Sequence, residues 1–235
     1  MIIPERLALV STLAIGRSSH PATDTPTDGA MCVMEAVAYV AGEPWSDSPA
    51  CACPVIAVFL RGWNDGLPTD ADRVRLLSPM IPQIVGTKSS PAVEDRRSYL
   101  ALDWLIRVYT PAWLDTVPAL ATHAAALRAL PEIVDLTTAH AASATVRAAG
   151  AAAGAAAWAA AWDAAGDAAG AAAGAAAWDA AGDAAGAAAG AAAWDAAGDA
   201  GDAAGDAAGD ALAPTVAILQ ASAVDLVGRM IAVSA

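Results

Sequence analysis

Cys51-Ala-Cys53, with Cys32 upstream, is where this sequence comes nearest to a reactive or metal-binding cluster. Structural zinc sites generally place roughly two to four residues between paired cysteines and close the tetrahedron with further ligands. Here a single residue separates the pair and no second pair is suitably placed, so zinc or thiol chemistry competes with plain burial. His20, His123 and His140 stand apart, and no triad can be argued from them. His123 and His140 lie in Ala-rich helical sequence and read as surface residues. Glu35, Glu43 and Asp47 could form an acid–base pair, but helix-end and loop roles suit them better. The arginines of "EDRRSY", Arg96 and Arg97, could grip an anion. "GAAAG" lacks the Lys-Ser/Thr that follows in phosphate-binding loops. These residues therefore receive no catalytic, cofactor-binding or metal-binding assignment, and no cofactor is expected.

The elements that would position such residues are helical. "MCVMEAVAYVAG" reads as a helix stopped by Gly42, and "EPWSDSPACACP" as a turn-rich connector. "VIAVFLRGWND" is a buried-looking helix followed by Gly66. "TDADRVRLLSPMIPQIV" starts with Thr69 or Asp70 as N-cap and is broken at Pro79 and Pro82. In "SSPAVEDRRSYLALDWLIRVYTPAWL", Ser90 is the expected cap, Pro91 the first helical residue and Pro111 the end. Tyr99, Leu102, Leu105, Ile106 and Tyr109 form its expected apolar stripe, with Trp104 and Val108 beside it. Two more helices follow, the second running into the repeat. No hairpin signals or alternating strands occur, and the class is all-α.

Charge narrows the partners. The net charge is −13, of which residues 151–235 hold −9, with Arg229 their only base. A solvated acidic face, or a basic partner, fits this balance, and nucleic acid does not. The three cysteines are too few and too oddly spaced for a secreted disulfide framework, and a reducing cytoplasm is expected. Residues 1–30 read as a disordered or dispensable extension, without the features of a signal peptide. No run of eighteen clearly apolar residues stands out, so no membrane span is expected.

The tract from Gly150 carries Gly or Trp at every fourth residue through Gly198, and resumes after one deletion at Gly201, Gly205 and Gly209. The 16-mer "WDAAGDAAGAAAGAAA" occurs twice without change, at 162–177 and 178–193. Alanine dominates and no proline interrupts between Glu132 and Ala213, which predicts helix despite about 1 kcal/mol lost at each glycine. A period of four drifts about 40° per step, so glycines and aspartates circle the helix and Trp178 faces away from Trp158 and Trp194. The tract then specifies little beyond solubility and length, or it serves as a spacer or self-association arm whose glycine grooves admit a second helix. An ordered-water surface would need a regular Thr ladder, and "GDAAGD" departs from calcium-binding nonapeptides.

After Pro214, Val216, Leu219, Ala223, Leu226 and Met230 share one helical face, widened by Ile218, Val227 and Ile231. Such a helix needs a partner. The core around Leu100–Val108 is the obvious one, making the repeat an excursion with both ends on one domain. The stretch "MCVMEAVAYVAGEPWSDSPACACPVIAVFLRGWND", the tract and "LQASAVDLVGRMIAV" together resemble uncharacterised alanine-rich proteins of high-GC actinobacteria and their phages. That resemblance spans most of residues 31–235, implies a bacterial or phage cytoplasmic protein, and carries over no site residue.

The expected plan has four parts. An N-terminal extension (1–30) precedes a helical globular domain (31–147). A tetrad-repeat helix (148–212) and an amphipathic C-terminal helix (213–235) follow. The expected function is that of a non-enzymatic structural or interaction protein, with a protein partner or self-association. The alternative is a small thiol- or metal-dependent enzyme using Cys32, Cys51 and Cys53.

Overall fold

The computed structural model describes the backbone of residues 1–179 and 186–234, and the side chains of 1–157, 159 and 209–234. The protein is all-α, and no strand occurs among the described residues. Two units are distinguishable. The first gathers Met1–Leu105, Glu132–Ala139 and Gln220–Ala235; the second gathers Ile106–Pro131 and His140–Leu219.

In the first unit, α1 (Pro4–Val10), α2 (Val33–Ala41) and α3 (Pro54–Gly66) are followed by α4 (Asp70–Leu77), α5 (Ile81–Ile84) and α6 (Pro91–Trp104). Gly42 ends α2 in the left-handed region at φ 74°, as a C-terminal glycine should. Thr69 caps α4 by accepting from the Asp72 N–H. Met34, Val37, Ile56, Leu60, Leu77, Ile81 and Ile84 are fully buried in one core.

Residues 1–30 are part of that core, contrary to their reading as a dispensable extension. Val10 and Ile15 are fully buried, which contributes about 1.5–3 kcal/mol each. Ile3 donates its N–H to the Val40 carbonyl at 2.9 Å, and Gly16 donates to that of Met31 at 2.8 Å. The chain closes so tightly there that a Cβ on Gly16 would lie 2.2 Å from the Gly29 oxygen. The polar run 18–30 disguised the segment, because its order comes from backbone pairing and two apolar anchors.

Helix α6 departs from its expected face. Its buried residues are Val93, Arg97 and Asp103, whereas Leu105 and Val108, in the turn that follows, are partly exposed. Arg97 and Asp103 turn inward beside Val93, while Leu100, Ala101 and Trp104 pack against the first unit's core. Pro111 does not end the helical path. A π-helical turn at Leu105–Tyr109 leads into α7 (Thr110–Leu114), with the proline in its first turn, where a missing N–H costs little.

The second unit packs α7 and α8 (Ala121–Arg128) with the first tract residues of α9 (Leu136–Asp179). Leu114, Leu120, Ala124, Leu127 and Ala149 form its core, flanked by Val146, Ala152 and Ala153. Here the tract's alanines act as packing surface. A Cβ at Gly150 or Gly154 meets nothing within 4 Å. Gly150→Ala and Gly154→Ala should therefore each stabilise the protein by about 0.5–1 kcal/mol, read as a raised thermal midpoint.

Helix α10 spans Gly186–Ala232, so the expected helical repeat holds on both sides of residues 180–185, which lie outside the described residues. The expected facings of Trp158, Trp178 and Trp194 also fall outside the described side chains. Pro214 was the expected start of the final helix, yet it lies inside α10. Without that break, Gly209–Ala232 is long and apolar enough to cross a membrane, with a mean hydropathy of 1.5 in its best window. The expectation that no such segment exists is corrected to that extent. Its inner face is nonetheless occupied, since Leu226, Val227 and Met230 are fully buried in the first unit's core. Ile218, expected to widen that face, is 65% exposed.

Candidate functional site

Two constructions in the first unit gather most of its buried polar groups. One surrounds Glu35 at the start of α2. Cys32 is the N-cap of this helix and Glu35 its third residue, in the reciprocal arrangement of a capping box. The Glu35 carboxylate accepts from the Cys32 N–H at 2.8 Å and the His20 N–H at 2.7 Å, and lies 3.0 Å from His20 Nδ1. The His20 carbonyl accepts from Trp45 Nε1 at 3.0 Å. Nearby, the buried Asn64 accepts from the Val33 N–H and donates to the Gly16 carbonyl. Asp65 accepts from the N–H of Ser18, which sits at φ 66°, an uncommon conformation for serine. A cavity of about 260 Å³ adjoins this network, lined by Cys32, Asp47, Arg61 and Asn64 among others.

Of the sequence candidates, the fold brings Cys32, Glu35 and His20 together. Asp47 joins the cavity beside Arg61, whose Nη1 donates to the Asp47 carbonyl at 2.9 Å. Cys53 is buried at the N-cap of α3, with its N–H given to Thr87 Oγ1. Cys51 is half-buried next to Glu43. His123 is half-buried in α8, and His140 is exposed on α9. Among the described residues, no three His, Cys, Asp or Glu side chains converge as a metal would require. Asn64 and Ser18 were missed in the sequence, where a polar residue inside "VIAVFLRGWND" was the one available signal.

The chemistry of this network is holding, because each Glu35 oxygen already accepts from the segment that it fastens. Burial pushes the Cys32 thiol up to about 12, and the Glu35 charge adds to that. The Cys51 thiol is also raised, by burial first and then by Glu43. Neither is primed as a thiolate at neutral pH. With the folded-state value raised, Cys32 binds its proton more tightly in the native state than in the unfolded chain. Its contribution is intact below about pH 9 and lost as pH climbs toward 12. Unfolding titrations should show stability falling by about 2 kcal/mol between roughly pH 9 and 10.5, with a flatter profile in Cys32→Ser.

The second construction is on α6 and fastens both flanks of the excursion. Asp103, buried, accepts from the Ile133 N–H at 2.8 Å. Arg97, 3% exposed, donates to the carbonyls of Thr87 at 2.6 Å, Met230 at 2.7 Å and Val233 at 3.3 Å. Arg96 donates to the Ser234 carbonyl, and Trp104 Nε1 to Ser222 Oγ at 3.0 Å. Helix α10 ends here, and its last carbonyls need donors. The arginine pair expected to grip an anion instead caps that helix. Beyond α6, Arg229 lies 3.9 Å from Glu132, joining the two flanks directly.

Fold and network together define an all-α protein in which residues 132–139 and 220–235 join the same unit. No family model matches the chain, and no curated protein or solved structure matches it.

Proposed function

We propose that this chain is a non-enzymatic structural or interaction protein whose Ala/Gly/Asp/Trp tract is a spacer or association arm. The observation that carries this reading is the fastening of Glu132–Ala139 and Gln220–Ala235 within one unit, on the single helix α6. Such an anchorage tolerates change in what lies between. The raised thiols of Cys32 and Cys51 weigh against the alternative of a thiol- or metal-dependent enzyme. Three free cysteines accord with a reducing cytoplasm, and the resemblance to actinobacterial and phage alanine-rich proteins accords with a bacterial or phage setting. The acidic tract favours a protein partner or self-association over nucleic acid, and the occupied inner face of α10 favours a core role over a membrane span.

Deleting one copy of the repeat, Trp178 to Ala193, tests the reading. As helix, that removes roughly 24 Å and rotates the remainder by near 160°. A spacer should keep its thermal midpoint within about 4 °C, a loss under about 1 kcal/mol, and the same oligomeric state by light scattering. Collapse of stability would reject the spacer. Dimer turning to monomer would identify an association arm. Stoichiometric zinc, or one thiol titrating well below its ordinary range, would overturn the non-enzymatic reading altogether.

A further inference from the structure

A cavity of about 500 Å³ opens beside α2, with Tyr39, Trp45, Asp24, Glu43 and Arg6 among its lining residues. Tyr39 and Trp45 meet edge to face, their ring centroids 6.5 Å apart at 65°. The indole is fixed by its bond to the His20 carbonyl, and His20 in turn by Glu35. Gly42 ends α2 and lets the Glu43 N–H return to the Ala38 carbonyl at 3.0 Å, which sets Glu43 at the cavity wall. One guanidinium is already present. Arg6 lies 4.6 Å over the Tyr39 ring, and its Nη1 donates to the Tyr39 carbonyl at 2.9 Å. Among the described residues, neither Asp24 nor Glu43 has an ion-pair partner within 4.0 Å.

We propose that this cavity binds an organic cation, an alkylammonium or guanidinium group. Aromatic rings attract such cations through the negative potential above their faces, and Arg6 occupies Tyr39 in that manner. One resident cation against two carboxylates leaves the lining with a net negative charge. The lining sets aromatic rings beside charged and polar groups, which suits a small cationic ligand, and the volume admits a short diamine. The cation could be a free amine or an arginine side chain presented by a peptide, and the chemistry is the same.

The Trp45 indole N–H resonance, assigned with Trp45→Phe, reports on the site. Titration with agmatine at constant ionic strength should move it saturably below about 20 mM, whereas 1,5-pentanediol should not. Asp24→Asn with Glu43→Gln should weaken binding about tenfold. Should that double variant fail to fold, Asp24→Asn alone, on an exposed side chain, should weaken it about threefold. N-acetyl-argininamide binding like agmatine assigns a peptide side chain, and agmatine binding alone assigns a free amine. No saturable shift, an equal shift with the diol, or unchanged affinity in the folded carboxamide variants overturns the proposal.

Discussion

Replacing Arg97 with leucine should cost about 4 kcal/mol of unfolding free energy, read from urea denaturation. The side chain is buried, and it supplies donors to three backbone carbonyls from two separate segments. Hydrogen bonds from a charged donor each contribute about 1.5–3 kcal/mol, and an apolar replacement strands the acceptors. Leucine's own burial recovers part of that loss. The damage should concentrate at the end of α10, so amide exchange should accelerate at 226–233 before it does in α2. Arg97→Lys should restore under half the loss, since one ammonium cannot reproduce the planar fork. Arg96→Ala, on an exposed side chain, should stay within about 0.5 kcal/mol of wild type. Equal effects at both arginines would refute the assignment of the loss to the buried Arg97.

Glu35→Ala should be nearly as severe, at about 3 kcal/mol. The carboxylate is 1% exposed and serves two backbone N–H groups and the His20 ring. Alanine leaves those buried donors unmet, at about 1–3 kcal/mol each before relaxation or water entry. Glu35→Gln keeps one acceptor but turns an NH₂ toward donors, so about 2 kcal/mol should still be lost. Limited proteolysis should then cut first within 17–28, the segment this residue ties down. Protection of that segment in Glu35→Ala would show that its other ties, Ser18 to Asp65 and Trp45 to the His20 carbonyl among them, suffice to hold it.

Much of the fold was legible because its signals are local. Gly42, Thr69, Pro91 and the alanine tract act through propensity and capping, which any window of sequence displays. The partnership of the last helix with the core followed from an apolar face that had to be covered. What stayed hidden depends on long-range backbone partners. Nothing in "EDRRSY" says that Arg97 will meet carbonyls of Met230 and Val233, and nothing in "SSHPATDTPTDGA" announces a histidine docked on Glu35. Glu35 was read as a helix-end residue, and it does sit in the first turn of α2, but nothing local marked it, Arg97 or Asp103 as turned inward. Pro111 was read as a stop and Pro214 as the start of a new helix, and the helical path runs through both.

The anchoring of both flanks on α6 has a consequence for a nicked chain. A protease cut inside the tract severs the covalent link to the last helix without touching what holds it. Leu226, Val227 and Met230 stay in the core, and Arg97 still grips the final turn. The two fragments would then behave as a non-covalent heterodimer. Their association would depend on concentration, because the cut abolishes the tether's effective molarity. Electrophoresis under denaturing conditions would report a broken protein while gel filtration reported an intact one. Fragments made separately on either side of the tract should complement each other on mixing.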